Sequence, residues 1–207
     1  YDQKGGVNMY HIVTIERKYA SGGNEIGERL AKALGYKLYD RHILMEAAKN
    51  LQIPSFRISG LDETSPGGWL FNLSKTSLGG NSGDKNLSMA DKLFLEEKRI
   101  IEEAAEKGNC VIVGRAAGYI LREKENHLGV FIHSDNEKRL KRAMEKEGFN
   151  EAEAKNALKK NDKRRSGFYQ SVTDWEWGNP KYYELYMDSG KLGMELCIRL
   201  LMAAVKG

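Results

Sequence analysis

Nine residues near the start of the chain, Arg17-Lys18-Tyr19-Ala20-Ser21-Gly22-Gly23-Asn24-Glu25, have the make-up of a loop that holds phosphate. They follow a short β-branched apolar run, His11–Ile15. They precede Ile26, Leu30 and Leu34, which recur every four residues as one face of a helix. Small residues at Ala20–Gly23 leave the backbone open, and loop amides at the positive end of a helix attract an anion without any special side chain. The chemistry implied is binding of nucleotide phosphates. In the pattern G-x-x-x-x-G-K-[ST] the loop begins directly after its strand. With the strand ending at Glu16, Arg17 takes the place of the first glycine and Gly22 that of the second. Gly23 then stands where the phosphate-binding lysine belongs. A frame that starts at Gly22 and reads through Gly27, Glu28 and Arg29 puts the loop inside the helix and is rejected. The competing reading of this segment alone is an ordinary glycine-rich turn with no ligand.

Phosphoryl transfer needs positioning, a metal on the phosphates, and positive charge where charge develops. The backbone of Ser21, Gly22, Gly23, Asn24, Glu25 and Ile26 can supply an amide cradle. Arg17 and Lys18 supply cations at its start, and either could replace the absent lysine from another direction; Lys18 reads equally as a solvated surface residue. The usual magnesium-binding hydroxyl is read at Glu25, a carboxylate that could ligate the metal or favour the helix N-terminus by its charge. No metal-side aspartate is apparent in Val111-Ile112-Val113-Gly114-Arg115, and no residue is assigned as a metal ligand.

The elements that position these groups follow from periodicity and turn signals. A strand–helix–strand unit spans His11–Asp40, and a helix follows over Arg41–Asn50. Residues 55–87 are rich in Gly, Ser and Asn, with strong turn signals at Pro66-Gly67-Gly68 and Gly79–Gly83. Residues 51–90 are therefore expected to be a mobile insertion. Ser88-x-x-Asp91, Ser134-x-x-Glu137 and Asn150-x-x-Glu153 each read as a helix start. Strands are expected at Cys110–Val113, Gly129–His133 and Tyr182–Met187, with a short helix near Tyr119–Lys124 and a closing helix over Leu192–Val205. Five short apolar strands separated by helices make a parallel sheet covered on both faces. Ligands of such sheets bind beyond the C-terminal strand ends, where Asp40, Arg41 and Arg115 lie.

The segments also resemble, in order over roughly Ile12–Leu201, the bacterial cytidylate kinases. The carriers are Leu30-Ala31 with Leu34-Gly35, Tyr39-Asp40, Val111–Gly118, Phe131–Ser134 with Arg139 and Arg142, Asp162–Arg165, and Met187-Asp188-Ser189. Arg17–Gly27 is very similar to the lysine-less "REYGSGG.EIG" loop of a divergent branch, the cytidylate kinase-like proteins. The resemblance implies a three-layer P-loop kinase fold with strand order 2-3-1-4-5, a small inserted subdomain and a lid over residues 150–180. It implies ATP and Mg2+ as cofactors and a nucleoside monophosphate, or a related small phosphate ester, as acceptor. Arg115 would hold the acceptor phosphate, with a structural pairing to Asp40 as its alternative. Arg139 and Arg142 would assist, and Arg164 or Arg165 would close on the transferring phosphate with Arg17. The family's aspartate beside that arginine is Ala116 here, which puts cytosine recognition in question. Trp175, Trp177, Tyr182 and Tyr183 read as packing under the lid or as a stack for the base; His42 and His133 read as structural.

The 33 basic and 29 acidic residues are too balanced to suggest nucleic acid. Cys110 and Cys197 sit in separate apolar stretches and read as buried hydrophobes rather than a disulfide or metal pair. No run approaches a membrane span, so small-molecule nucleotides are the expected partners and the cytoplasm the expected location. Residues 1–10 are read as a disordered or extraneous N-terminus, and 11–207 as one domain. Beside the kinase stand two other readings: a catalytically weak nucleotide sensor or pseudo-kinase, and a phosphate-binding regulator that kept only the scaffold.

Overall fold

The computed structural model describes residues 10–54 and 87–207; the expected N-terminal tail up to Met9 and most of the expected insertion lie outside them. Five strands form one parallel sheet in the order β2-β3-β1-β4-β5. They are β1 (Ile12–Arg17), β2 (Lys37–Tyr39), β3 (Cys110–Val113), β4 (His127–His133) and β5 (Leu185–Asp188). The central strands β1, β3 and β4 are buried on both faces, which is why they read as continuous β-branched runs rather than alternating ones. Successive residues of β1 feed opposite layers. Ile12 packs with α2 (His42–Asn50) and α3 (Met89–Lys107), whereas Val13 and Ile15 pack with α1 (Gly23–Leu34) and α8 (Met194–Lys206). The remaining helices are α4 (Ala117–Ile120), α5 (Asn136–Glu147), α6 (Glu151–Val172) and α7 (Ser189–Leu192).

The caps explain where helices begin. Ser88 with Asp91 and Asn150 with Glu153 form reciprocal capping boxes, as their spacing predicts. At the third start the cap moves by one residue. Asp135, not Ser134, accepts from the Lys138 amide at 2.8 Å, because Ser134 is buried and the extended backbone comes at Asp135. Other boundaries also shift. The short helix is Ala117–Ile120 rather than Tyr119–Lys124. Pro180–Tyr182 forms a 3-10 turn, so β5 starts at Leu185. A proline lacks the amide a strand ladder needs, and Asn179 instead caps this turn. Tyr10 belongs to the fold, its amide donating to Val205 O at 3.2 Å.

Beneath the sheet, His127 Nε2 lies 2.6 Å from Thr14 Oγ1. Burial, opposed by the charge of Glu184, lowers the imidazole pKa to about 4. The unfolded chain therefore binds a proton near pH 6.5 that the folded chain refuses until about pH 4. Stability should fall as pH drops through that window, by at most about 3 kcal/mol from this group. In urea titrations at pH 7 and pH 4.5, His127→Gln should lose less stability than the unaltered chain; an equal loss removes His127 as the cause.

Candidate phosphate-binding site

The chain leaves β1 at Arg17, turns through Ala20 and Gly22 in left-handed conformation (φ 57° and 82°), and enters α1 at Gly23. Gly22 offers no side-chain cap to the first amides of α1, as an anion site requires. Of the expected cradle, however, the Ser21 and Ile26 amides already donate to Lys18 O (3.3 Å) and Gly22 O (2.9 Å), which leaves Gly22 to Glu25 to supply it. The loop is held from below: the Ser189 hydroxyl lies 2.6 Å from Ser21 O and 2.8 Å from His133 O. Ser21, Gly22 and Gly23 are largely covered, and Gly22 and Gly23, which have only backbone to offer, line the small cavity over the loop.

Arg17 lies across Gly23, the position at which the loop pattern has its lysine; a Cβ added there would sit 2.5 Å from Arg17 Cβ. Its guanidinium covers Gly114 in the turn after β3, and Nε donates to Asn24 Oδ1 at 2.7 Å. Counting from Arg17 makes Asn24, not Glu25, the eighth residue of the loop pattern. The hydroxyl position therefore falls on Asn24, which binds the substitute cation. Burial lowers the Arg17 pKa; Glu16 opposes the shift, and Arg115 adds to it.

Two cavities meet at this arginine. A small one of about 150 Å³ lies over the loop and is lined by Lys18, Ala20, Gly22, Gly23, Arg142 and Lys146, among others. A larger one of about 420 Å³ opens beyond the strand ends and is lined by Arg17, Arg41, Arg115, Arg164 and Arg165. Arg17, Tyr19, Asn24, Glu147 and Arg165 border both. Five guanidinium groups around one cleft outnumber the carboxylates of Glu16 and Glu147 on its wall and of Glu97 behind Arg115, and the excess of positive charge favours an anion. Burial, then the charge of Arg17, lowers the Arg165 guanidinium to about 9.

Helix α6 brings its cations to the loop by direct contact. Arg165 Nη1 donates to Arg17 O at 2.9 Å, and Asp162 Oδ1 accepts from the Tyr19 amide at 2.8 Å. Arg115 is set by an unusual turn, since Gly114, Arg115 and Ala116 all have positive φ (82°, 59° and 54°). It pairs with the fully buried carboxylate of Glu97 on α3, not with Asp40, and lies 4.4 Å over the Phe168 ring. Glu97 escaped sequence reasoning, although a carboxylate on the apolar stripe Phe94–Glu97–Ile101 is a visible signal.

The other expected site residues divide clearly. Arg41 lines the cleft, whereas Asp40 does not and pairs instead with the exposed His42. Arg139 and Arg142 do not reach the acceptor side. Arg139 is buried behind the loop, donating to Tyr19 O (3.0 Å), Asp162 (2.7 Å) and Asn136 (2.6 Å). Arg142 and Lys146 pair with Glu25 at 2.7 and 2.6 Å. Those contacts, Lys146's hydrogen bond foremost, hold the Glu25 carboxyl below its ordinary range. Glu25 thus pairs with two cations of α5. Trp175 stacks on Tyr182 and Trp177 packs edge-on to Phe131; the aromatic residues facing the cleft are Tyr19, Phe168 and Tyr169. Ala116 lies buried among Phe94, Tyr119 and Tyr169.

Arg115→Ala should raise the acceptor KM far more than the ATP KM. Arg115→Lys should rescue only partly, because a point charge cannot hold Glu97 and a phosphate in a planar fork. Steady-state kinetics showing equal effects on both substrates would remove Arg115 from the acceptor site.

A parallel 2-3-1-4-5 sheet with a phosphate loop between β1 and α1 is the P-loop kinase fold. Residues 12–191 match the Cytidylate kinase-like family, and the chain belongs to that family. The cytidylate kinase of Methanopyrus kandleri is 22% identical over 203 residues, which cover 94% of this chain and 92% of that protein. A uronate isomerase of Corynebacterium glutamicum is 23% identical over 199 residues; the match covers 95% of this chain and only 36% of the isomerase. The crystal structure of an uncharacterized protein from Eubacterium ventriosum matches with a TM-score of 0.70 at 25% identity, covering 94% of this chain and 97% of that one. No helix among the described residues is long and apolar enough to cross a membrane.

Proposed function

We propose that the protein transfers a phosphoryl group from ATP to a nucleoside monophosphate or a related small phosphate ester. The observation that carries this reading is the joining of two anion-accepting cavities at Arg17. A loop of open amides suits the donor's phosphates, and a cleft with five arginines suits an acceptor that brings its own phosphate. Arg17 touches both and so stands where the transferring group passes. Arg164 and Arg165, on α6, add charge from the opposite side, and Arg115, steadied by Glu97, holds the acceptor. Arg41 flanks it. A phosphate acceptor needs no strong base, which fits a cleft without histidine.

Magnesium, carried in on ATP, would neutralise phosphate charge. No three or more His, Cys, Asp or Glu side chains among the described residues converge into a metal cage. Magnesium in phosphoryl-transfer sites asks for less, one or two carboxylates beside the phosphates and water, and Glu16 and Glu147 border the cleft. Buried Ala116 presents a methyl where the family has an aspartate, so base identity must be read by other groups. The test is transfer from MgATP to CMP, dCMP, UMP and AMP, with transfer to at least one expected. Measurable ATP binding with no transfer would overturn this reading in favour of a nucleotide sensor, which the absent lysine at Gly23 favours.

A further inference from the structure

Glu16 is the one buried carboxylate, among the described residues, that borders the large cleft; it is 5% exposed. Its hydrogen bond is a long one, from Trp177 Nε1 at 3.4 Å. An ionised carboxylate has about four acceptor sites, so most of its capacity is uncommitted. Burying such a group is costly unless a cation meets it.

Its level in the sheet gives the position meaning. Ile15 pairs with Val113, and Gly114 N donates to Ile15 O at 3.0 Å, so Glu16 lies beside Gly114 at the end of β3. In P-loop enzymes an aspartate on a neighbouring strand helps to hold the magnesium. Here β3 ends at Val113, and the next residue is Gly114, whose φ of 82° strains any side chain and over which the Arg17 guanidinium lies. No carboxylate stands at that level of β3. The adjacent strand supplies one at the same level.

We propose that Glu16 is the metal-side carboxylate of this protein, contacting a divalent cation that also binds the nucleotide phosphates. The proposal rests on the phosphoryl-transfer reading above. It requires one protein oxygen, the rest coming from phosphates and water. The rival role for Glu16 is a plain counter-charge to Arg17 and Arg165, both of which feel its field.

The two roles separate in metal and nucleotide binding, measured without turnover. Mn2+ binding to the full chain with ADP is followed by electron paramagnetic resonance, and ADP binding by calorimetry with and without metal. Glu16→Gln should weaken Mn2+ binding to the ADP complex tenfold or more. It should leave metal-free ADP affinity unchanged or tighter, because a negative charge beside the phosphates has been removed. Unchanged Mn2+ affinity, or an equal loss of ADP affinity with and without metal, overturns the assignment and leaves the counter-charge. An unaltered chain that binds no ADP overturns the transfer reading and this proposal together. If the variant does not fold, the unaltered chain still decides. Fe2+ bound with ADP and treated with ascorbate and peroxide cuts backbone beside the metal. Cuts at residues 16–18 support the proposal; cuts only elsewhere reject it.

Discussion

Under the proposed phosphoryl transfer, Arg17→Ala is expected to lower kcat by about a hundredfold to a thousandfold, the usual loss for one preorganised donor at developing charge. ATP affinity should change less, because the loop amides would still be open to the donor phosphates. The expectation follows from the path of the side chain. It crosses Gly23, is braced at Nε by Asn24, ends over Gly114, and borders both cavities. Bracing matters because an arginine held before the phosphates arrive gives up little freedom when charge develops. A variant with unchanged kcat and a large rise in ATP KM would show instead that Arg17 binds ATP in the ground state only.

Restoring the missing lysine harms the protein. Gly23→Lys places a Cβ 2.5 Å from Arg17 Cβ, 2.9 Å from its Cγ and 3.3 Å from Ile132 Cβ. The first of these is the rigid root of a side chain on a central strand, not a flexible tip, so relief means moving β1 or α1. Overpacking of this kind typically costs about 1–3 kcal/mol, and the displaced arginine should cost catalysis about a hundredfold. The double change Arg17→Gly with Gly23→Lys removes the overlap and should recover part of both losses. Kinetics and thermal unfolding of the single and double variants check this. A Gly23→Lys protein more active than its parent would mean that Arg17 does not stand in for the lysine.

Why some of this could be read in the sequence, and some not, comes down to the range of the interactions. The parallel sheet was legible because β3 and the middle of β1 and β4 are short apolar runs separated by helices, whereas its strand order came from the kinase resemblance and not from the runs themselves. Ser88–Asp91 and Asn150–Glu153 were legible because a capping box is complete within four residues. The loop was legible from its small residues. What it binds to itself was not: Arg139, Asp162 and Arg165 meet the backbone of residues 17–19 across more than a hundred positions. Each of those side chains sits on a helix face that otherwise reads as solvated charge. Arg115 shows the same limit. Its alternative reading was a structural pairing with Asp40, yet the carboxylate that the left-handed turn presents to it is Glu97. Arg142 failed as an acceptor contact for a related reason, since Glu25 lies nearer and carries the opposite charge.

The contacts between α6 and the loop bear on how nucleotide enters and leaves. One turn of this helix carries both a cation that borders the cleft, Arg165, and a carboxylate that fastens the loop at Tyr19, Asp162. Arg139 grips that carboxylate and the same peptide from α5. A rigid outward swing of α6 would unfasten residues 17–19 at once, and with them the root of Arg17. Helix α6 and the loop are a splint and the limb it holds: under the proposed function, exposing the site to exchange a nucleotide and slackening its phosphate grip would be a single cooperative event.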